Sequence, residues 1–222
     1  MTAIDGVTLA LDAATYHGSV AVLRGTVLLA EREVAMRGER EERLMPAVAE
    51  ALAEAGASAG DIARVVCGAG PGSFTSLRIA AAIAKGIAAA RGVALFELPS
   101  LALLIAGSAL PPGRYLAVLD AMRDEAYVHG YERTATGLRE IAPFALIPRE
   151  AVAARAQALG ARAVGPGEGE PHWPHARGAA MLTGWLDAAT PVDLAGWEPR
   201  YGRLAEAQVK WEREHGRPLA GA

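Results

Sequence analysis

Val7-Thr8-Leu9-Ala10-Leu11-Asp12-Ala13, near the start of the chain, and Tyr115-Leu116-Ala117-Val118-Leu119-Asp120-Ala121, just past its middle, read as one strand written twice. In the first copy Val7, Leu9 and Leu11 alternate with smaller residues, the period-two pattern of a strand with two unlike faces. Each copy ends in Leu-Asp-Ala. An alanine-rich chain can produce that tripeptide twice by chance, so the matched order of the neighbouring elements decides the matter. After the first copy, Ser19 to Leu23 and Val27 to Arg32 flank an Arg24-Gly25-Thr26 turn and read as a hairpin. After the second, Ala126 to Tyr131 and Leu138 to Phe144 flank a turn near Gly137. The chain is therefore expected to be an internally duplicated α/β protein.

Between the copies lie the helices. Leu44, Val48, Leu52 and Ala55 recur at helical spacing within Glu41 to Ala55, and Gly56 closes the segment. Pro46 lies inside it, so the helix either begins late, with the proline in its first turn, or bends there. A short buried strand, Ile62 to Cys67, runs into the turn Gly68-Ala69-Gly70-Pro71-Gly72, and Ser73 to Arg91 reads as a second helix. Val93 to Glu97 returns as a strand. A third helix, Ser100 to Ala109, stops at Pro111-Pro112-Gly113, which is read as the boundary between lobes at 1–110 and 111–222. Beyond the repeated strands, a helix is expected over Pro148 to Leu159, a strand near Ala163 and a loop at Gly165-Pro166-Gly167-Glu168-Gly169. Further helices are expected near Ala179 to Ala189 and Leu204 to Glu214.

Composition limits the function classes. Of 222 residues, 52% are hydrophobic and 21% charged, which excludes a disordered chain. No apolar run reaches the eighteen or so residues of a membrane span. Asp5 stands where a secretory leader would be basic, and Cys67 is the lone cysteine, so a cytoplasmic, disulfide-free protein is expected. A net charge of −3 gives no general field for nucleic acid, so any RNA contact is expected to be shared with a partner.

Asp12 and Asp120 are the first candidates for chemistry. A carboxylate at the end of the first strand of each lobe suits a metal-bound phosphate held in the cleft between them. Such a site needs small residues after each aspartate so that backbone N–H groups can approach the phosphates. Asp12 is followed by Ala13-Ala14-Thr15, with Ser19 on the next strand. Asp120 is followed by Ala121-Met122-Arg123, whose bulk would obstruct a phosphate tail. The turn at Gly68 to Gly72 could bind an anion at the helix N-terminus, yet it lacks the Gly-Lys-Ser/Thr of a P-loop and has Ser73 where a dinucleotide fingerprint needs glycine. The plainer reading is a tight turn with Ser73 or Thr75 capping the helix. His172-Trp173-Pro174-His175 has prolines that break the helix needed to align its histidines as ligands, and Cys67 ends an apolar strand where an inert thiol is expected. The second helix carries Ala80, Ala81, Ala82, Ala84, Gly86, Ala88 and Ala89. It is apolar over most of its circumference and is buried on more than one side, within the lobe or against another subunit.

Five segments occur in order that are similar to one family. They are Leu9-Ala10-Leu11-Asp12-Ala13-Ala14 with Ser19 to Val22; Glu42-Arg43-Leu44-Met45-Pro46; Gly70-Pro71-Gly72-Ser73-Phe74-Thr75-Ser76-Leu77-Arg78-Ile79; Leu119-Asp120-Ala121 with Glu125-Ala126-Tyr127; and Glu198-Pro199-Arg200-Tyr201-Gly202-Arg203. The chain resembles the TsaB family, dimerisation subunits of bacterial tRNA threonylcarbamoyladenosine synthesis. The resemblance implies an actin-like (ribonuclease-H-like) ATPase superfold of two duplicated lobes, the second reduced. It implies a non-catalytic subunit, without cofactor or metal, that pairs with the paralogous threonylcarbamoyltransferase subunit. An ATPase subunit joins the complex and tRNA is bound through it. The partner surface it implies consists of Glu42, Arg43, Leu44, Pro46, Ala47 and Ala51 on one helix and Thr75, Arg78, Ile79, Ala82 and Gly86 on the other. Asp12, Ser19 and Asp120 become remnants of a phosphate site. A homodimer through the same helices is the expected state without the partner. The alternative is a working phosphotransferase or metallopeptidase of the same superfold. Two positions depart from the family pattern: Arg40 stands where relatives commonly have histidine, and Ser76 where glycine is usual.

Overall fold

The computed structural model describes residues 6–38, 42–203 and 215. Strands β1 (Val7–Asp12), β2 (His17–Arg24) and β3 (Val27–Ala35) form an antiparallel meander. Helix α1 (Leu44–Glu54) then leads to β4 (Ile62–Gly68), helix α2 (Phe74–Arg91) to β5 (Ala94–Leu98), and both strands lie parallel to β1 or its neighbour. The resulting sheet has the order β3-β2-β1-β4-β5. Helix α3 (Ser100–Gly107) comes next, and then the pattern repeats. Strands β6 (Gly113–Asp120), β7 (Glu125–Arg133) and β8 (Leu138–Pro148) form a second meander; α4 (Val152–Ala158) returns to β9 (Arg162–Val164), parallel to β6. The order β8-β7-β6-β9 is the first sheet's order with its last strand missing. The fold is α/β and actin-like: the lobes are duplicated, as the doubled Leu-Asp-Ala strand predicts, and the second is reduced, as the family resemblance implies.

Alternation along the strands fixes the layers. Val7, Leu9 and Leu11 of β1, Val20 and Val22 of β2, and Val65 and Cys67 of β4 face α1 and α2. Their neighbours Ala10, Ala21, Leu23 and Val66 face α3. In the second sheet Tyr115, Ala117 and Leu119 also face α3, while Leu116 and Val118 face α4. Helix α3 is therefore the layer between two sheets, and every one of its residues is buried. A helix apolar all round needs such a double burial. A 3-10 turn at Ala176–Ala180 and helix α5 (Thr183–Ala188) complete this middle layer.

Three expectations need adjustment. The segment from Glu41 to Ala55 becomes helical only at Leu44, where the Glu42 carboxylate accepts from the backbone N–H groups of Leu44 and Met45, so Pro46 lies in the first turn. Strand β8 runs to Pro148 because β7 pairs with it as far as Glu125↔Pro148, and this shortens the helix expected over Pro148 to Leu159. The helix expected over Ala179 to Ala189 divides into the 3-10 turn and α5. The helix expected at Leu204 to Glu214, and Arg40, lie outside the described residues.

The segment beyond α5 returns to the first sheet. The Val192 N–H donates to the Leu95 carbonyl on the outer edge of β5, and the Arg200 N–H donates to Ala69 O on the glycine-rich turn. The Trp197 indole N–H donates to Glu97 at 2.7 Å, and Arg200 pairs with the same carboxylate. Tyr201 packs its ring on Phe74 at 4.5 Å, and Arg78 lies over that ring. The Glu-Pro-Arg-Tyr-Gly-Arg motif is thus a strap over the turn between β4 and α2.

Candidate functional site

A cleft of about 600 Å³ opens between the first lobe's β1–β2 turn and the start of α2 on one side and the second lobe's β6–β7 turn on the other. Tyr16, Phe74, Tyr127 and Trp173 supply aromatic wall, and Asp120 and Met122 lie at the second-lobe side. This is where a metal-bound phosphate would be held if the two strand-end aspartates met across it.

They do not. Asp12 is completely buried. One of its carboxylate oxygens accepts from Ala14 N–H at 2.9 Å and the other from the Ser100 hydroxyl at 2.5 Å. Burial raises its pKa to about 6, against the lowering effect of the Ala14 and Ser100 hydrogen bonds. Ser19 is also closed off, with its hydroxyl accepting from Ala176 N–H at 2.9 Å. Asp120 alone is exposed to the cleft, and there its carboxylate accepts from the Met122 N–H. Met122, Arg123 and Asp124 all adopt positive φ, 61°, 57° and 59°, in a turn with no glycine. The expected phosphate-site remnants are brought into one region but not into one site.

The glycine-rich turn explains the closure. Glycines there do permit close backbone approach, but the approach is to the chain itself. A Cβ on Gly68 would lie 1.8 Å from the Asp12 carboxylate, and one on Gly72 would lie 1.9 Å from the Ala14 carbonyl oxygen. Three backbone N–H groups here already have acceptors within the chain: Ala69 donates to Leu98 O, Gly70 to the Ser100 hydroxyl and Ser73 to Ala14 O. Ser73 occupies the N-cap position of α2, but its hydroxyl bonds the Ser76 hydroxyl at 3.1 Å instead of a backbone N–H. The capping expected of its side chain is absent for that reason. Ser76, at the family's usual glycine position, is buried and takes part in that bond.

Two groups of polar residues escaped sequence reasoning because their partners are remote in the chain. Ser100 reaches back to Asp12, and no local motif marks it. His175 is buried against β3 with Nε2 2.7 Å from Glu33, while the Arg177 side chain donates to Glu31 and to Gly107 O. Burial, and then the Arg177 charge, hold His175 below its ordinary pKa even though Glu31 and Glu33 act in the opposite direction. Among the described residues no group of three His, Cys, Asp or Glu side chains could hold a metal ion.

The other candidate surface is the outer face of α1 and α2. Thr75, Arg78, Ala82 and Gly86 are exposed and Ile79 is half-buried, and their spacing of three and four residues aligns them as one stripe along α2. Space above Gly86 is open. Glu42 and Arg43 just before α1 and Pro46 in its first turn are exposed, and Met45 beside them is 46% exposed. Leu44, Ala47 and Ala51 do not belong to this face: all three turn inward onto the sheet with Val48 and Leu52. Their place on the i, i+3, i+4 side of Leu44, Val48 and Leu52 accounts for the difference.

The family model described as TsaD, tRNA N6-adenosine threonylcarbamoyltransferase, matches residues 33–165. The chain is 34% identical over 169 residues to the tRNA threonylcarbamoyladenosine biosynthesis protein TsaB of Escherichia coli K12, covering 75% of this chain and 73% of that one. It is 29% identical over 135 residues to the protein of the same name from Bacillus subtilis, covering 61% of this chain and 59% of the relative. Among solved structures, YeaZ from Pseudomonas aeruginosa superposes with a TM-score of 0.75 at 28% identity, covering 88% of this chain and 99% of that one. A second Pseudomonas aeruginosa structure, described as similar to peptidase YEAZ, gives 0.78 at 28% identity over 89% of this chain and 100% of that one. The doubled actin-like sheet and these likenesses agree, and the chain belongs to the TsaB (YeaZ) family.

Proposed function

We propose that this chain is a non-catalytic scaffold subunit of tRNA threonylcarbamoyladenosine synthesis, acting in the cytoplasm by pairing with the paralogous threonylcarbamoyltransferase. The observation that carries the reading is the exposed stripe Thr75, Arg78, Ile79, Ala82 and Gly86, whose small central residues let a partner helix approach closely. Glu42, Arg43 and Pro46 on α1 extend the same contact. The names of the curated relatives supply the pathway, and the family model that matches the chain is named for the transferase. An ATPase subunit joins this pair, and tRNA is bound by the complex as a whole. In this reading residues 1–110 are the partner-binding lobe and 111–222 the smaller lobe. Without the transferase, the stripe pairs with a second copy of the chain.

The burial of Asp12 away from the cleft supports a role without catalysis. Asp12 has no oxygen facing solvent, and the Ala69, Gly70 and Ser73 N–H groups beside it donate within the chain.

The test is co-purification with the transferase paralogue from the same genome, together with reconstitution of tRNA modification. Modification is expected only when this chain, the transferase and the ATPase subunit are all present. Ala82→Glu should abolish co-purification while leaving the far-ultraviolet circular dichroism and melting temperature unchanged. Modification without this chain, or ATP turnover by this chain alone, would overturn the scaffold reading; undiminished co-purification of Ala82→Glu would overturn the surface assigned to it.

A further inference from the structure

The cleft between the lobes does not suit a metal-bound phosphate, yet its walls are unusually apolar for an open surface. Of the eight large apolar side chains exposed among the described residues, Tyr16, Phe74 and Met122 line this one opening, at 48%, 39% and 63% exposure. Tyr127 and Trp173 line it with them. Exposed apolar side chains scattered singly carry no message; gathered in one concavity they mark a binding site. Both lobes contribute rings, and the space of about 600 Å³ holds a ligand larger than one side chain.

Two arginines stand at the first-lobe rings. Arg37 Cζ lies 4.9 Å from the Tyr16 ring centre, and Arg78 Cζ lies 4.6 Å from that of Phe74. Both residues are exposed. Aromatic faces inside a cleft with guanidinium groups at its edge are the means by which single-stranded nucleic acid is held, since bases stack on rings while phosphates meet arginine. The interior has the opposite character, with the Asp120 carboxylate offering an acceptor to the N–H groups of a base edge.

A nucleoside triphosphate would carry its phosphates inward. There Asp120 repels them, the turn at Met122, Arg123 and Asp124 has no glycine to let backbone N–H groups approach, and the space beside Gly72 is filled by the Ala14 carbonyl. A phosphodiester backbone that stays at the rim meets none of these obstacles. We propose that the cleft takes one unpaired base of a single-stranded RNA, stacked against the aromatic wall, with its flanking phosphates at Arg37 and Arg78. That the RNA is a tRNA loop rests on the function proposed above. A net charge of −3 gives no general attraction, so stacking supplies most of the affinity.

The test uses the full chain alone and a heptauridylate carrying 2-aminopurine at its central position, whose fluorescence falls when that base stacks. A saturable quench is expected. Affinity should weaken about tenfold in Tyr16→Ala and in Trp173→Ala, and persist in Tyr16→Phe and Trp173→Phe. Val27→Ala, which alters an exposed residue of β3 outside the cleft, should leave it unchanged. Unlabelled heptauridylate should compete, and polyphosphate and ATP should compete less well. No saturable quench, undiminished affinity in Tyr16→Ala or Trp173→Ala, or equal competition by polyphosphate or ATP would overturn the proposal. Binding of 2-aminopurine riboside as tight as that of the heptamer would overturn the RNA assignment in favour of a free nucleoside. The quench is read without the transferase, so a failure of the scaffold reading, which co-purification reports, leaves it untouched.

Discussion

Replacing Asp12 by asparagine should change how stability responds to pH, because the carboxyl group folds into a place that disfavours its charge. The side chain is fully buried, and its pKa rises from 3.8 to about 6 on folding. A carboxyl whose pKa is higher in the folded state binds protons more tightly there, so its contribution is fully present below pH 3.8 and is lost as pH rises through 6. A shift of roughly two units corresponds to about 3 kcal/mol between the two limits. Asparagine has nothing to titrate. Urea unfolding of both proteins at intervals from pH 4 to pH 8 would give the difference in stability, wild type minus variant. That difference should fall by about 2–2.5 kcal/mol between pH 4 and about pH 7, and then stay level. Parallel stability curves would show that the pKa does not change on folding, and a difference that grows with pH would show that the Ala14 and Ser100 hydrogen bonds outweigh burial and lower it.

Two further outcomes concern the same region. Gly72→Ala places a Cβ against the Ala14 carbonyl oxygen, a backbone atom of the neighbouring turn that cannot rotate away. Stability should fall by about 2–4 kcal/mol in thermal or urea unfolding, and a loss under about 0.5 kcal/mol would mean the two turns are not in contact. Cys67 is buried at the end of β4, where desolvation, then Asp12 and Glu97, raise its thiol pKa far above the ordinary value. It should resist a thiol-reactive chromophore in the native protein and react fully in urea; rapid native labelling would contradict its burial.

The elements with a clear period were legible and those set by remote pairing were not. Val7, Leu9 and Leu11 announce a strand without help, and the second Leu-Asp-Ala strand announces the duplication. Nothing in Leu138 to Pro148 says that pairing with β7 will hold Ala145 to Pro148 extended, because that is decided across the hairpin. The candidate site divides the same way. Asp12 was legible as a strand-end carboxylate, whereas the hydroxyl that occupies it lies 88 residues later. The glycines at 68 and 72 were legible as points of close approach; what approaches was not, since an anion and the protein's own carbonyl make the same demand for a missing Cβ. For Leu44, Ala47 and Ala51 a usable signal existed. Their spacing relative to Val48 and Leu52 already turns them toward the sheet, and the family likeness identifies the helix without giving its rotation.

The segment that returns from α5 to the first sheet also dictates the timetable on which the protein can be finished. A chain leaving the ribosome has completed β5 by Leu98, but the Val192 N–H that caps the outer edge of that strand comes about 94 residues later. At about 5–20 residues per second, the interval is roughly 5–20 s. Throughout it the last strand of the first sheet presents an unsatisfied hydrogen-bonding edge, the kind of surface that recruits other nascent chains. The first half of this molecule is thus born before its own cover, and a truncation before Val192 would leave that vulnerability permanent.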